Sequence, residues 1–239
     1  MVSDFLWRDG SEIVAFLGIY VNRPTEAEIC GMVHPQRRRE GIFTRLLDEA
    51  VVELRRREAE RVLLIVDRSC EAGVGFSRRR GGVVDSSEYR MRQAEAPELQ
   101  GAHEHLTIRN GTRDEGDFIR DCIARAFSLP DEAVAGDDWP ERAEETLVIE
   151  HAGERVGVMR VERDVKASEA GIYGFAMLPE QQGRGYGKAA LSKVSRDLRD
   201  EGVTSVHLEV LVDNPAALHL YESCGFVTLG IEDYYLIPA

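Results

Sequence analysis

The chain repeats itself. Shifted by 144 positions without a gap, Pro35 falls on Pro179, Gly41 on Gly185, Leu47 on Leu191 and Leu54 on Leu198. Val62, Leu64 and Val66 fall on Val206, Leu208 and Val210, and Gly81 falls on Gly225. Eight identities at one offset, inside matching hydrophobic patterns, restrict the fold to two copies of one supersecondary unit. Residues 95–101, with Pro97 and Gly101, read as the linker. The expected domains are therefore 1–95 and 103–239.

Composition excludes several classes. Thirty basic against 43 acidic residues give a net charge of −13, which argues against nucleic-acid binding. The excess lies in residues 101–239, with 14 basic and 26 acidic side chains. No apolar run reaches the roughly 18 residues of a membrane helix, so no membrane partner is expected. Cys30, Cys70, Cys122 and Cys224 are scattered, without a Cys-x-x-Cys pair, so neither a metal site nor a disulfide framework is expected. A reducing cytoplasm is the matching location.

The second copy shows its elements more clearly. Residues 114–127 have helical apolar spacing, and 146–150 and 156–162 flank Ala152-Gly153 as a hairpin. Residues 171–178 form a strand ending before Pro179, 187–201 an amphipathic helix, and 205–212 an alternating strand. Asn214 opens and Gly225 closes a short helix over 215–224, and 226–237 supplies one or two closing strands. The class is α/β with a mixed, mostly antiparallel sheet flanked by helices in each unit. The first copy starts at the hairpin over 5–20; its counterpart of residues 105–145 is absent or lies upstream of the start.

Residues 182–187, Gln-Gly-Arg-Gly-Tyr-Gly, lie between a strand and a helix. Three glycines allow a tight turn whose amides and positive helix end face an anion. A dinucleotide fingerprint needs glycine at 188, where Lys188 stands. A P-loop needs glycine at 182 and Ser or Thr at 189, where Gln182 and Ala189 stand.

The later Asn214-x-x-Ala-x-x-Leu-Tyr-x-x-x-Gly-Phe226, with this loop, resembles the GNAT superfamily of acetyl-CoA-dependent N-acetyltransferases. The resemblance covers residues 106–237. It implies acetyl-CoA as co-substrate, with no metal. Its pyrophosphate would lie on Gln182, Gly183, Arg184, Gly185, Tyr186, Gly187 and Lys188. The strand end Ala176, Met177 and Leu178 would pair with the pantetheine arm, Asn214 would hydrogen-bond it, and an amide near Leu178 would steady the oxyanion. Tyr221 matches the family's general acid, and a phenol with a pKa of about 10 is a protonated donor at neutral pH. Glu209, twelve residues earlier, is the expected base, with Glu169 as an alternative acting through water. The 208–226 stretch and the Tyr234-Tyr235 pair resemble the ribosomal-protein alanine N-acetyltransferases, and the tandem layout resembles mycothiol synthase.

At the same offset the first copy has Arg38 for Gln182, Phe43 for Gly187, Ile65 for Glu209, Cys70 for Asn214 and Ser77 for Tyr221. It is expected not to catalyse, and Phe43 is a candidate block to phosphate. Arg37, Arg38 and Arg39 keep cofactor binding there open. The acceptor is expected to be a primary amine, on a small molecule or at a peptide N-terminus. The acidic run Asp114, Glu115, Asp117, Asp121, Asp131, Glu132, Asp137, Asp138 and Glu141 favours a cationic one. Two fused copies favour a monomer. The competing readings are a mycothiol-synthase-like or antibiotic-modifying enzyme, and an acyl-CoA-binding regulatory module without turnover.

Overall fold

The computed structural model describes residues 3–23, 25–94, 105–136 and 138–238. The expected linker at 95–101 and Asp137 lie outside them. The chain divides into two compact units, Met1–Glu88 with Gly230–Ala239, and Tyr89–Leu229.

In the first unit, β1 (Asp4–Asp9) and β2 (Glu12–Arg23) form an antiparallel hairpin, and β3 (Glu26–Val33) runs antiparallel to β2. Helix α1 (Ile42–Arg56) carries the chain across to β4 (Arg61–Asp67), parallel to β3. Helix α2 (Glu71–Arg79) and β5 (Val83–Gln93) follow. The second unit adds β6 (Leu106–Asn110), α3 (Gly116–Phe127), α4 (Trp139–Glu144), β7 (Thr146–His151), β8 (Glu154–Asp164) and β9 (Glu169–Met177). It continues through α5 (Tyr186–Asp200), β10 (Ser205–Leu211), α6 (Pro215–Ser223) and β11 (Phe226–Ile237). The repeat survives as structure: α1 and α5, β4 and β10, and α2 and α6 start and stop 144 positions apart.

Local chemistry explains these elements. Helix α5 buries Ala190, Leu191, Val194 and Leu198, which recur on one face at helical spacing. Strand β10 buries Val206, Leu208 and Val210 and exposes Glu209 and Leu211. Residues 114–127 are less uniform than their periodicity suggests. Thr112 and Glu115 form a capping box over a 3-10 turn, Arg113–Glu115, and α3 begins only after it. Helix α4, with Pro140 in its first turn, has no counterpart in the sequence reading, and 226–237 is one strand.

The units close differently from the sequence division at 95 and 103. Strand β4 is flanked by the end of β11, with Glu232 opposite Asp67 and Ile237 opposite Val62. Strand β10 is flanked by β5, whose Tyr89–Gln93 part belongs to the second unit. Each unit is thus completed by a strand that sequence order assigns to the other copy. Buried polar groups fix both closures. Asp233 accepts from Arg68 at 2.6 Å and from Ser87 Oγ at 2.7 Å, and Gln93 Nε2 donates to Cys224 O at 2.9 Å.

In the second unit, β9 and β10 pair in parallel only from Glu169 and Ser205 to Ile172 and Leu208. Beyond that point they separate and leave a gap. Strands β3 and β4 do the same after Ile29 and Leu64.

One ion-pair network in this unit has a measurable signature. Glu115 accepts two hydrogen bonds at 2.8 Å from Arg109, which hold its carboxyl down to about 2 from an ordinary 4.5. A depressed carboxylate pKa stabilises the fold above about pH 4.5, and this contribution is lost as pH falls toward 2. Glu115→Gln is therefore expected to cost about 2 kcal/mol at pH 7 and much less at pH 3. Denaturant titrations of both proteins at the two pH values check it.

Candidate active site

The glycine loop adopts the conformation that the sequence requires. Gly183 has φ +72, and Gly185, at the N-cap of α5, has φ +82. Both lie in the left-handed region that glycine enters without steric cost. The first amide bonded inside the helix is that of Ala189, to Gly185 O at 3.1 Å. Helical geometry leaves the amides of Gly187 and Lys188 without intrahelical acceptors, at the positive end of the helix. A Cβ on Gly183 would meet nothing within 4 Å, so this side of the loop is open to a ligand. Arg184 and Lys188 are exposed beside it.

The loop is held by its own side chains. Gln182 Nε2 donates to Met177 O at 3.1 Å, tying the loop to the strand end before the gap. Tyr186 stacks on His151 with centroids 4.5 Å apart, and its hydroxyl is 3.2 Å from His151 Nδ1. Nothing in the sequence pattern points to His151.

At the other side of the gap, Asn214 caps α6 by accepting from the Ala217 amide at 3.1 Å. Its carbonyl is committed to the helix, so its NH2 is the part able to donate to a ligand. Two turns on, Tyr221 is buried between Phe175 and Phe226, with centroids at 6.5 and 6.1 Å. Burial pushes its phenol up to about 12. Among the described residues its hydroxyl has no hydrogen-bond partner, and no buried polar side-chain atom is left unsatisfied, so the hydroxyl reaches accessible space.

Tyr221 packs with Val206, Leu208 and Val210 on one face of the sheet, whereas Glu209 is exposed on the other. Glu209 is the first β10 residue beyond the last β9–β10 pair, Leu208 with Ile172. Tyr173 lies on the Glu209 side, its phenol raised by burial and by the charges of Glu162 and Glu209, with the Arg160 guanidinium 5.5 Å from its ring centre. Glu169 sits at the closed end of the β9–β10 ladder, opposite Ser205, away from the gap. Cys224 is buried, which raises its thiol pKa and keeps it from acting as a nucleophile.

One expectation needs revision. The Leu178 amide donates to Val156 O at 3.0 Å, because β8 still pairs there, so it is not open to an oxyanion. Strand alternation turns the neighbouring Met177 amide to the opposite edge, toward the gap. Five of the eight described residues of the acidic run are ion-paired: Glu115 with Arg109, Asp117 with Arg120, Asp121 with Arg125, Asp138 with Arg142 and Glu141 with Arg113.

This arrangement of loop, gap and tyrosine has relatives. The sequence matches the acetyltransferase (GNAT) family over residues 3–81 and 117–226, so each copy is matched. The chain belongs to the GNAT acetyltransferase family. A 67-residue segment is 43% identical to mycothiol acetyltransferase of Nocardiopsis dassonvillei, covering 28% of this chain and 20% of that protein. A 72-residue segment is 40% identical to the [ribosomal protein bS18]-alanine N-acetyltransferase of Haemophilus influenzae, covering 30% and 49%. The chain thus spans half or less of the length of these two curated relatives. A GCN5-related N-acetyltransferase structure from Sphaerobacter thermophilus superposes with TM-score 0.77 at 20% identity, over 99% of this chain and 82% of that one. A tandem GNAT protein from the clavulanic acid biosynthesis pathway gives 0.69 at 15% identity, over 99% and 83%. Both structures share the fold of this GNAT chain.

Proposed function

We propose that the second unit transfers an acetyl group from acetyl-CoA to a primary amine, on a small molecule or at a peptide N-terminus, without a metal. The observation that carries the reading is the Tyr221 hydroxyl, which has no hydrogen-bond partner among the described residues and opens toward accessible space on a buried ring. The cofactor residues fit the co-substrate. The Gly183–Lys188 loop is open where a phosphate would lie, and a Cβ on Gly187 would already touch Leu220 at 3.4 Å and Phe175 at 3.6 Å.

Acetyl-CoA supplies an activated thioester. Gly187 and Lys188 amides hold its phosphates, Asn214 NH2 steadies the arm, and the Met177 amide faces the developing oxyanion. Glu209 takes the proton that the amine releases as the new C–N bond forms. Tyr221 Oη gives a proton to the sulfur as the C–S bond breaks. The first unit takes no part in transfer, because Ile65 and Ser77 replace both proton carriers and the Ser77 hydroxyl is tied to Gly73 O at 3.0 Å. The monomer expected from two fused copies remains part of this proposal.

A coupled assay of acetyl-CoA consumption over a panel of amines, at several pH values, tests the base. Glu209→Gln is expected to slow transfer about 100-fold at pH 7. The deficit should shrink toward pH 9, where more of the amine is neutral without help. An equal deficit at every pH would remove Glu209 from the mechanism.

A further inference from the structure

The first strands of the two units share one register. In the first unit Leu6 pairs with Phe16 and Phe16 with Met32; in the second, Val148 pairs with Val158 and Val158 with Ala176. The same irregularity follows in each hairpin, so Arg8 opposite Ile13 corresponds to Glu150 opposite Arg155. The row Leu6, Phe16 and Met32 is thus the counterpart of Val148, Val158 and Ala176.

The two rows are covered differently. Val148, Val158 and Ala176 are 0, 0 and 2% exposed, in a core with Ile119 and Cys122 of α3 and Trp139 and Ala143 of α4. Leu6 is 47% and Met32 70% exposed, and Phe16 is half-buried. Strand alternation sets this row on the face opposite Ala15, Leu17 and Ile19, which share a core with α1. The first unit's α1 and α2 are the counterparts of α5 and α6, so among the described residues α3 and α4 have no counterpart there. A Cβ on Gly18 would meet the Phe16 ring at 2.9 Å and the Tyr20 ring at 3.2 Å, so both rings lie over Gly18 and extend the apolar surface along β2.

The corner of this face carries the opposite charge from its counterpart. In the second unit Glu150 holds Arg109, while Arg155 lies 3.5 Å from Glu115 at the start of α3 and covers the Phe118 ring. In the first unit Arg8 stands for Glu150, and Ile13, exposed, stands for Arg155. Arg8 donates to Ser11 O at 3.4 Å and has no acidic partner among the described residues. An apolar row ending at such a guanidinium complements a helix with an apolar stripe and an acid at its N-terminal end, where the helix dipole also favours negative charge.

We infer that the outer face of β1, β2 and β3 docks an amphipathic helix of a partner protein, with its apolar stripe on Leu6, Phe16 and Met32 and its N-terminal acid on Arg8. A second copy offers neither α3 nor α4 for this purpose, because both bury their stripes in their own unit. The surface is independent of the acetyl-transfer reading.

The probe is a fluorescein-labelled peptide of residues 113–145 of this chain, which carries both helices and has Asp114, Glu115 and Asp117 ahead of the stripe. Fluorescence anisotropy is expected to show it binding the full chain. Leu6→Glu and Met32→Glu should each weaken binding about tenfold, since each sets a carboxylate against the apolar stripe. Arg8→Glu should weaken it about threefold, and more at low salt than at high salt. All three side chains are exposed, so the variants should melt as the wild type does. Absence of binding overturns the inference. Binding that survives both Leu6→Glu and Met32→Glu also overturns it, and puts the peptide elsewhere on the chain. So does a wild-type dimer in sedimentation that Met32→Glu dissociates, because a second copy then occupies the face. Acetyl transfer, which the amine assay measures separately, enters none of these outcomes.

Discussion

Tyr221→Phe is expected to lower kcat by about 100- to 1000-fold while leaving the affinity for acetyl-CoA unchanged. The phenyl ring keeps the contacts with Phe175 and Phe226, so the substitution removes one hydroxyl and little packing. Among the described residues that hydroxyl has no partner to leave unsatisfied, so no stability loss is expected to accompany the change. The size of the rate effect follows from the leaving group. A thiolate departing without a proton donor carries its charge into an apolar wall made by Phe175, Phe226 and Leu208. Because burial holds the phenol at about 12, above the ordinary 10, the hydroxyl stays protonated throughout the alkaline range of an amine assay. The alkaline limb of the wild-type profile should therefore show no fall from Tyr221 below about pH 10. Steady-state kinetics with a calorimetric titration of acetyl-CoA separate the two parameters. A variant with unchanged kcat would return Tyr221 to a packing role.

The repeat was legible because glycine, proline and strand apolar residues mark backbone geometry and buried faces directly. Pro35 and Pro179 both start a 3-10 turn, and Gly41 and Gly185 both cap a helix in the left-handed region. The closing strands were not legible. Alternation along residues 83–93 and 226–237 specifies which face is buried, not which edge each strand joins, and the two strands are near equivalents in length and pattern. Hydrogen bonding at the strand end was equally hidden, since no side chain records that Leu178 donates to Val156.

Phe43 illustrates a different limit. Its volume is written in the sequence, but its direction is set by Gly31 across the cleft. A reciprocal signal was present, because Phe175 and Gly187 carry the same pair in reverse. The acidic run shows a related limit: a carboxylate's field outside the protein depends on the arginine beside it, and the pairs with Arg113, Arg120, Arg125 and Arg142 are not written in the spacing of the acids.

Gly185→Trp is expected to weaken acetyl-CoA binding to the second unit more than 100-fold and to abolish transfer. Two costs combine at this position. The first is conformational: any L-residue at φ +82 gives up about 1–2 kcal/mol, so Gly185→Ala alone should lower affinity about tenfold as the loop shifts to relieve it. The second is steric, because an indole at the N-cap stands over the Gly187 and Lys188 amides that are to receive the phosphate. Gly187→Ala provides the contrast within the same loop. Its φ is not in the left-handed region, and the added methyl reaches Leu220 and Phe175 at ordinary contact distance, so affinity should change less than threefold. Calorimetric titration of the three variants, with melting temperatures to confirm folding, gives the order Trp, then Ala at 185, then Ala at 187. If Gly185→Trp binds as the wild type does, the co-substrate does not lie on this loop, and the acetyl-transfer reading of the second unit falls with it.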